Sequence, residues 1–169
     1  MSDAQIVKRG MLRHFLAAIA YRTQKALRDA PEGFAGFDAG GGVRTPHELI
    51  CHMLSVLGYA RTYFIGGEFT RPKPEDFKND VSAFHEMLGD LSRRLKDGEQ
   101  LNGITEEILL QGPFADVMTH AGQLAMLRRL HERPVPSENF IFAKISADNV
   151  SMEQPQPERP DLDWSPTNK

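Results

Sequence analysis

Four stretches of this chain repeat apolar residues near the 3.6-residue period of an α-helix, and the gaps between them are broken by glycine or proline. In "DAQIVKRGMLRHFLAAIAYRTQKALRDA" the repeat runs through Ile6, Met11, Leu12, Phe15, Ile19, Thr23 and Leu27, predicting a long first helix that ends near Ala30. The glycine-dense "PEGFAGFDAGGGVRT" that follows suits neither a helix nor a central strand. Thr45, Pro46 and Glu48 then form a start signal: threonine caps, proline fits the first helical position and glutamate completes a capping box. This second helix carries Leu49, Met53, Val56, Ala60 and Tyr63 on one face and stops at Gly66-Gly67, before the proline-stiffened "TRPKPED".

From about Asp76 to Asp97, Val81, Phe84, Leu88, Leu91 and Leu95 recur at threes and fours, and Gly98 supplies the stop of a third helix. "ITEEILL" fits a short helix or a strand equally well, because so brief an apolar run does not separate the two. Pro113 suits the first turn of a fourth helix that runs to about Glu132, before Pro134. In the tail only "NFIFAKI" has strand-like or packing character, since "EQPQPERPDLDWSP" is too rich in proline.

These elements predict an all-α fold: an antiparallel four-helix bundle over residues 3 to about 132, with an irregular tail from 133 to 169 wrapped on it, all in one domain. Hydrophobic residues at 40% and charged residues at 25% give the balance of an ordinary globular protein. A net charge of −3 argues against a nucleic-acid partner, which calls for a basic face. The pairs Arg93-Arg94 and Arg128-Arg129 read as solvated helix faces. The single cysteine, Cys51, excludes an intramolecular disulfide. The chain shows neither a secretory leader nor an apolar run long enough for a membrane span, so a cytoplasmic location is the expectation.

The fourth helix carries an anomaly. In "ADVMTHAGQLAMLRRL" the residues Asp116, His120 and Gln123 fall on one line, which Leu127 and Leu130 continue. A buried carboxylate needs a cation, donors or water, and a divalent ion would satisfy Asp116 and His120 together. On spacing alone, a simple hydrogen-bonded pair outweighs a metal pair. A third ligand has to come from another helix, and His52, on the buried stripe of the second, is the leading candidate, although a lone histidine there is more often a satisfied core residue.

"HELICH" is not a zinc-protease motif: His47 and His52 are five apart, roughly 140° around a helix, and do not chelate one ion together. His47 and Cys51 do have metal-pair spacing, but rank low because a buried cysteine usually serves as a small hydrophobe. His14 and His85 read as surface or boundary residues, and His131 lies where the helix dipole favours an imidazolium. The sequence contains no nucleophile elbow, phosphate loop or CxxC pair.

Taken together, His52 in "CHMLSV" and the later "DVMTHAGQ", with Asp116, His120, Gly122 and Gln123, resemble the DinB/YfiT-like superfamily of metal-binding four-helix bundles. The resemblance covers the bundle, with "GPFADVMTHAGQLAMLRRL" as its most specific part. Many members carry histidine where this chain has Asp116, and arginine where it has Ala121; the first difference keeps a ligand but makes it an oxygen donor.

The resemblance implies His52, Asp116 and His120 as three ligands of one divalent ion (Zn²⁺, Ni²⁺, Fe²⁺ or Mn²⁺), with Gln123 behind them or on a bound ligand. Such a set leaves coordination positions open. It further implies an enzyme that activates a low-molecular-weight thiol for transfer to an electrophilic small-molecule substrate, in a homodimer. The alternatives are hydrolysis by metal-activated water and a non-catalytic, metal-stabilised interaction bundle of the kind used in stress responses. A cleft reaching the ion separates the catalytic readings from a sealed structural site.

Overall fold

The computed structural model describes residues 1–70, 73–131 and 133–161. Its helices are α1 (Asp3–Leu27), α2 (Pro46–Ile65), α3 (Phe77–Asp97), α4 (Glu106–Leu109) and α5 (Ala115–Leu130). The last two are one continuous rod, joined by a π-helical turn over Leu110–Phe114. The fold is the expected all-α helical bundle followed by an irregular tail.

The local signals act as their chemistry dictates. Thr45 accepts from the Glu48 amide while the Glu48 carboxylate accepts from the Thr45 amide, and Pro46 opens the helix. A cap of this kind contributes about 1 kcal/mol. Asp76 caps α3, and Gly98 ends it at φ 75°, a left-handed conformation that glycine adopts without strain. The inward stripes of all four rods meet in one core, with Leu16, Ile19, Ile50, Met53, Leu57, Phe84, Leu88, Leu91 and Phe114 essentially inaccessible. Each such side chain stabilises the fold by about 1.5–3 kcal/mol relative to exposure.

The helices form a ring in which α1 neighbours α3 and α5, and α2 neighbours the same two. Side-chain pairings give the directions. Arg13 meets Ser92 and Gln24 meets His85, so α1 and α3 are antiparallel. His47 meets Asp80 and Arg61 meets Asp90, so α2 and α3 are parallel. Arg9 meets Glu106 and Arg128 meets Ala26, so α1 also runs parallel to the last rod, leaving α2 antiparallel to that rod. The order is thus up-down-down-up. Two parallel neighbours require a connection that travels the length of a helix, and residues 66–76 can reach about 36–40 Å when extended. The 20 residues of α2 span about 30 Å.

Several expectations change. α1 ends at Leu27, because the chain turns at Arg28 and then takes positive φ at Asp29. Ile6 and Met11 are exposed, while Arg9 is buried, its guanidinium donating to Glu106 and to the Glu99 carbonyl. "ITEEILL" is helical, capped by Thr105. Pro113 therefore lies inside the last rod instead of opening it. It lacks an amide proton and would clash in a regular α-turn, and the wider π turn accommodates it. Leu130 is exposed although Leu127 is buried.

Arg128 is no solvated charge: it is buried and donates to the carbonyls of Ala26, Arg28, Asp29 and Arg133, closing the end of α1. Arg93 and Arg94 do form a partly exposed ion-pair network with Asp90 and Glu99. His85 is buried, with Nδ1 on the Val150 carbonyl.

The tail wraps the bundle. Glu138, whose side chain is fully buried, accepts from the Tyr21 hydroxyl and Lys25, and Phe140 packs edge-on against Tyr21 beneath the Arg22 guanidinium. Phe140–Phe142 is a 3₁₀ turn, and among the described residues of the tail two short strands, β1 (Ser137–Glu138) and β2 (Pro160–Asp161), pair antiparallel. Trp164 and Glu132 lie outside the described residues. Among the described residues, no helix is long and apolar enough to cross a membrane.

Candidate metal centre

His52 comes from the middle of α2, and Asp116 and His120 from the first turns of α5. One turn of helix stacks the latter two, and the packing of α2 beside α5 brings the third to them. One ligand atom from each of the three lies within 4.8 Å of the others. Asp116 Oδ1 is 3.3 Å from His120 Nε2, and its Oδ2 is 3.9 Å from His52 Nε2. The two imidazole rings meet edge to face with centroids 4.7 Å apart.

Gln123 sits one turn further along. Its Oε1 lies 2.8 Å from His120 Nδ1 and can only accept, so Nδ1 carries the proton. In the neutral ring this leaves a lone pair on Nε2. That atom is buried and makes no hydrogen bond, because its approach to Asp116 is close in distance but not aligned as a donor. A buried imidazole nitrogen that lacks a hydrogen bond and lies 3.3 Å from a carboxylate oxygen is a place where a cation, either a proton or a metal ion, would stabilise both groups. The donor set, two imidazoles and a carboxylate with the outer nitrogen of one ring fixed by an amide, fits a divalent ion of the Zn²⁺ to Mn²⁺ class.

The site is graded in exposure. The His120 side chain is 9% exposed, His52 22% and Asp116 47%. Asp116 and His52 border a cleft of about 740 Å³ whose walls include Val56, Tyr59, Phe69 and Gln111. The π turn shapes one side of it, with Gln111, Gly112 and Pro113 all on its lining. Phe69 closes over α2 at Gly58, where a methyl group would stand 3.0 Å from its ring.

A second cluster lies at the start of α2. His47 Nε2 and Cys51 Sγ approach Asp80 Oδ2 at 2.7 and 3.3 Å, and the Glu75 amide donates to the same oxygen at 3.1 Å. Burial pushes the Asp80 carboxyl up, but His47, Cys51 and the Glu75 amide outweigh it and hold the group below the usual range. Asp80 carries no helical spacing to His47 or Cys51, and sequence reasoning missed it. The available signal was a carboxylate in the first turn of an apolar helix. Of the remaining histidines, His14 is exposed, and His131 packs edge-on against Phe34 and Phe37.

No protein-family model, curated protein or solved structure matches the chain.

Proposed function

We propose that this protein binds a divalent metal ion through His52, Asp116 and His120 and uses it to activate a small thiol toward an electrophilic substrate in the adjoining cleft. The observation that carries the reading is the buried His120 Nε2, which makes no hydrogen bond and lies within 4.8 Å of ligand atoms of Asp116 and His52. Bound there, a divalent ion supplies Lewis acidity, which lowers the pKa of a thiol that joins it.

The chain's own groups do the rest. Gln123 keeps His120 in the ligating tautomer, and Asp116 supplies negative charge at the open edge. Val56, Phe69 and Pro113 give the electrophile apolar contact and reduce water around it, while Tyr59 and Gln111 offer hydrogen bonds. The thiol proton leaves to solvent through the open side, and the sulfur then bonds the electrophilic carbon as the leaving group departs. The half-exposed Asp116 and its cleft favour a ligand-accepting site over a sealed structural one. The likeness of "CHMLSV" and "DVMTHAGQ" to the DinB/YfiT-like pattern points the same way.

The test uses Cys51→Ser protein, which removes the chain's own thiol, loaded with Co²⁺ and titrated with 2-mercaptoethanol. A near-ultraviolet thiolate-to-Co²⁺ band that grows with added thiol and is missing in Cys51→Ser/His120→Ala is the expected result. Bound Co²⁺ with no such band at any thiol concentration would overturn thiol activation and favour water as the nucleophile.

A further inference from the structure

We propose a second, thiolate-containing metal site formed by His47, Cys51 and Asp80, on the opposite side of α2 from His52 and independent of the site there. His47 and Cys51 are one turn apart on α2, and Asp80 faces them from the first turn of the parallel helix α3. Their ligand atoms lie within 4.8 Å of one another.

Three donors converge on a single oxygen of a 4% exposed carboxylate: the His47 ring, the Cys51 thiol and the Glu75 amide. A carboxylate oxygen offers about two lone-pair sites, so these donors crowd it. The arrangement focuses positive hydrogen-bond character on one buried point, as a cation there would. Replacing the two side-chain protons by one ion leaves Asp80 Oδ2, His47 Nε2 and Cys51 Sγ as its ligands. The Glu75 amide still holds the carboxylate in place.

The proton balance is simple. Cys51 releases its thiol proton to solvent, a neutral His47 moves its ring proton from Nε2 to Nδ1, and a doubly protonated one releases a proton. Affinity therefore rises with pH. Nitrogen, sulfur and oxygen donors together select Zn²⁺ over Mg²⁺ or Ca²⁺, with bonds of roughly 2.0–2.3 Å that require the His47–Asp80 contact to open slightly. The His47 side chain is 28% exposed, so the site reaches solvent and a fourth ligand can come from water. An ion here clamps the starts of α2 and α3.

Co²⁺ is the probe, because thiolate ligation gives it near-ultraviolet charge-transfer absorption and Cys51 is the chain's only cysteine. Full-length protein with no thiol added is expected to develop that band. His52→Ala/His120→Ala should retain it and Cys51→Ser should lose it. His47→Gln and Asp80→Asn should weaken the Co²⁺ dissociation constant read from the band by more than the roughly 10–100-fold that losing an outer-shell partner costs. Circular dichroism checks that each variant is folded. Absence of the band in folded wild-type protein would overturn the site. So would a band whose affinity is unchanged in His47→Gln and Asp80→Asn, because that describes a lone thiol collecting metal.

Discussion

His120 Nδ1 lies 2.8 Å from Gln123 Oε1, while Nε2 of the same ring lies 3.3 Å from Asp116 Oδ1. An amide on the far side of an imidazole fixes its tautomer and raises its basicity as a ligand. Gln123 is otherwise exposed. Gln123→Ala is therefore predicted to weaken metal binding about 10–100-fold while changing stability by no more than about 0.5 kcal/mol. Competition with a chelator of known affinity measures the first and urea unfolding the second; equal affinity in variant and wild type would remove Gln123 from the site.

Arg9 and Glu106 form an ion pair 2.8 Å long with side chains only 5% and 11% exposed. Removing one partner leaves a buried charge uncompensated. Glu106→Ala is predicted to destabilise the fold by about 3–5 kcal/mol, and Arg9→Met/Glu106→Leu to recover most of that loss. Urea midpoints of the variants decide it, and a single substitution as mild as the double would show that the pair is hydrated in solution.

Asp90 joins α2 to α3 by accepting from Arg61, Arg93 and Arg94. Burial pushes its carboxyl up, but the hydrogen bonds from Arg94, Arg61 and Arg93 prevail and bring it down to about 2. A carboxylate whose pKa is lower folded than unfolded contributes stability that is complete above the unfolded value, near pH 4. That contribution fades as pH falls toward 2. Asp90→Asn is predicted to flatten the dependence of the urea midpoint on pH across this window. A wild-type curve already flat there would contradict the role given to the three arginines.

Much of this architecture is local and so readable in the chain. The Thr45–Glu48 box, the Gly98 stop and the stripe from Val81 to Leu95 each depend on neighbours within a turn or two. The adjacency of Asp116, His120 and Gln123 is likewise a property of one helix, and His52 could be chosen from its place on a buried stripe. Asp80 could not, because its meeting with His47 and Cys51 depends on α2 and α3 running parallel. That direction is made possible by the long 66–76 connection and leaves no periodic mark. Arg9 and Arg128 look like surface residues for a similar reason: the carboxylate and carbonyls that make their burial affordable come from distant segments. Pro113 reads as a helix start because the π turn that holds it has no sequence signature of its own.

The central claim is that His52, Asp116 and His120 hold an ion. Metal content by mass spectrometry tests it most directly, on Cys51→Ser protein purified without a histidine tag or chelating resin, loaded with Zn²⁺ and dialysed. The account predicts a single tightly held ion per chain that is lost in Cys51→Ser/His52→Ala and in Cys51→Ser/His120→Ala. A Cys51→Ser protein that retains no ion, or one whose ion survives both histidine substitutions, would contradict it.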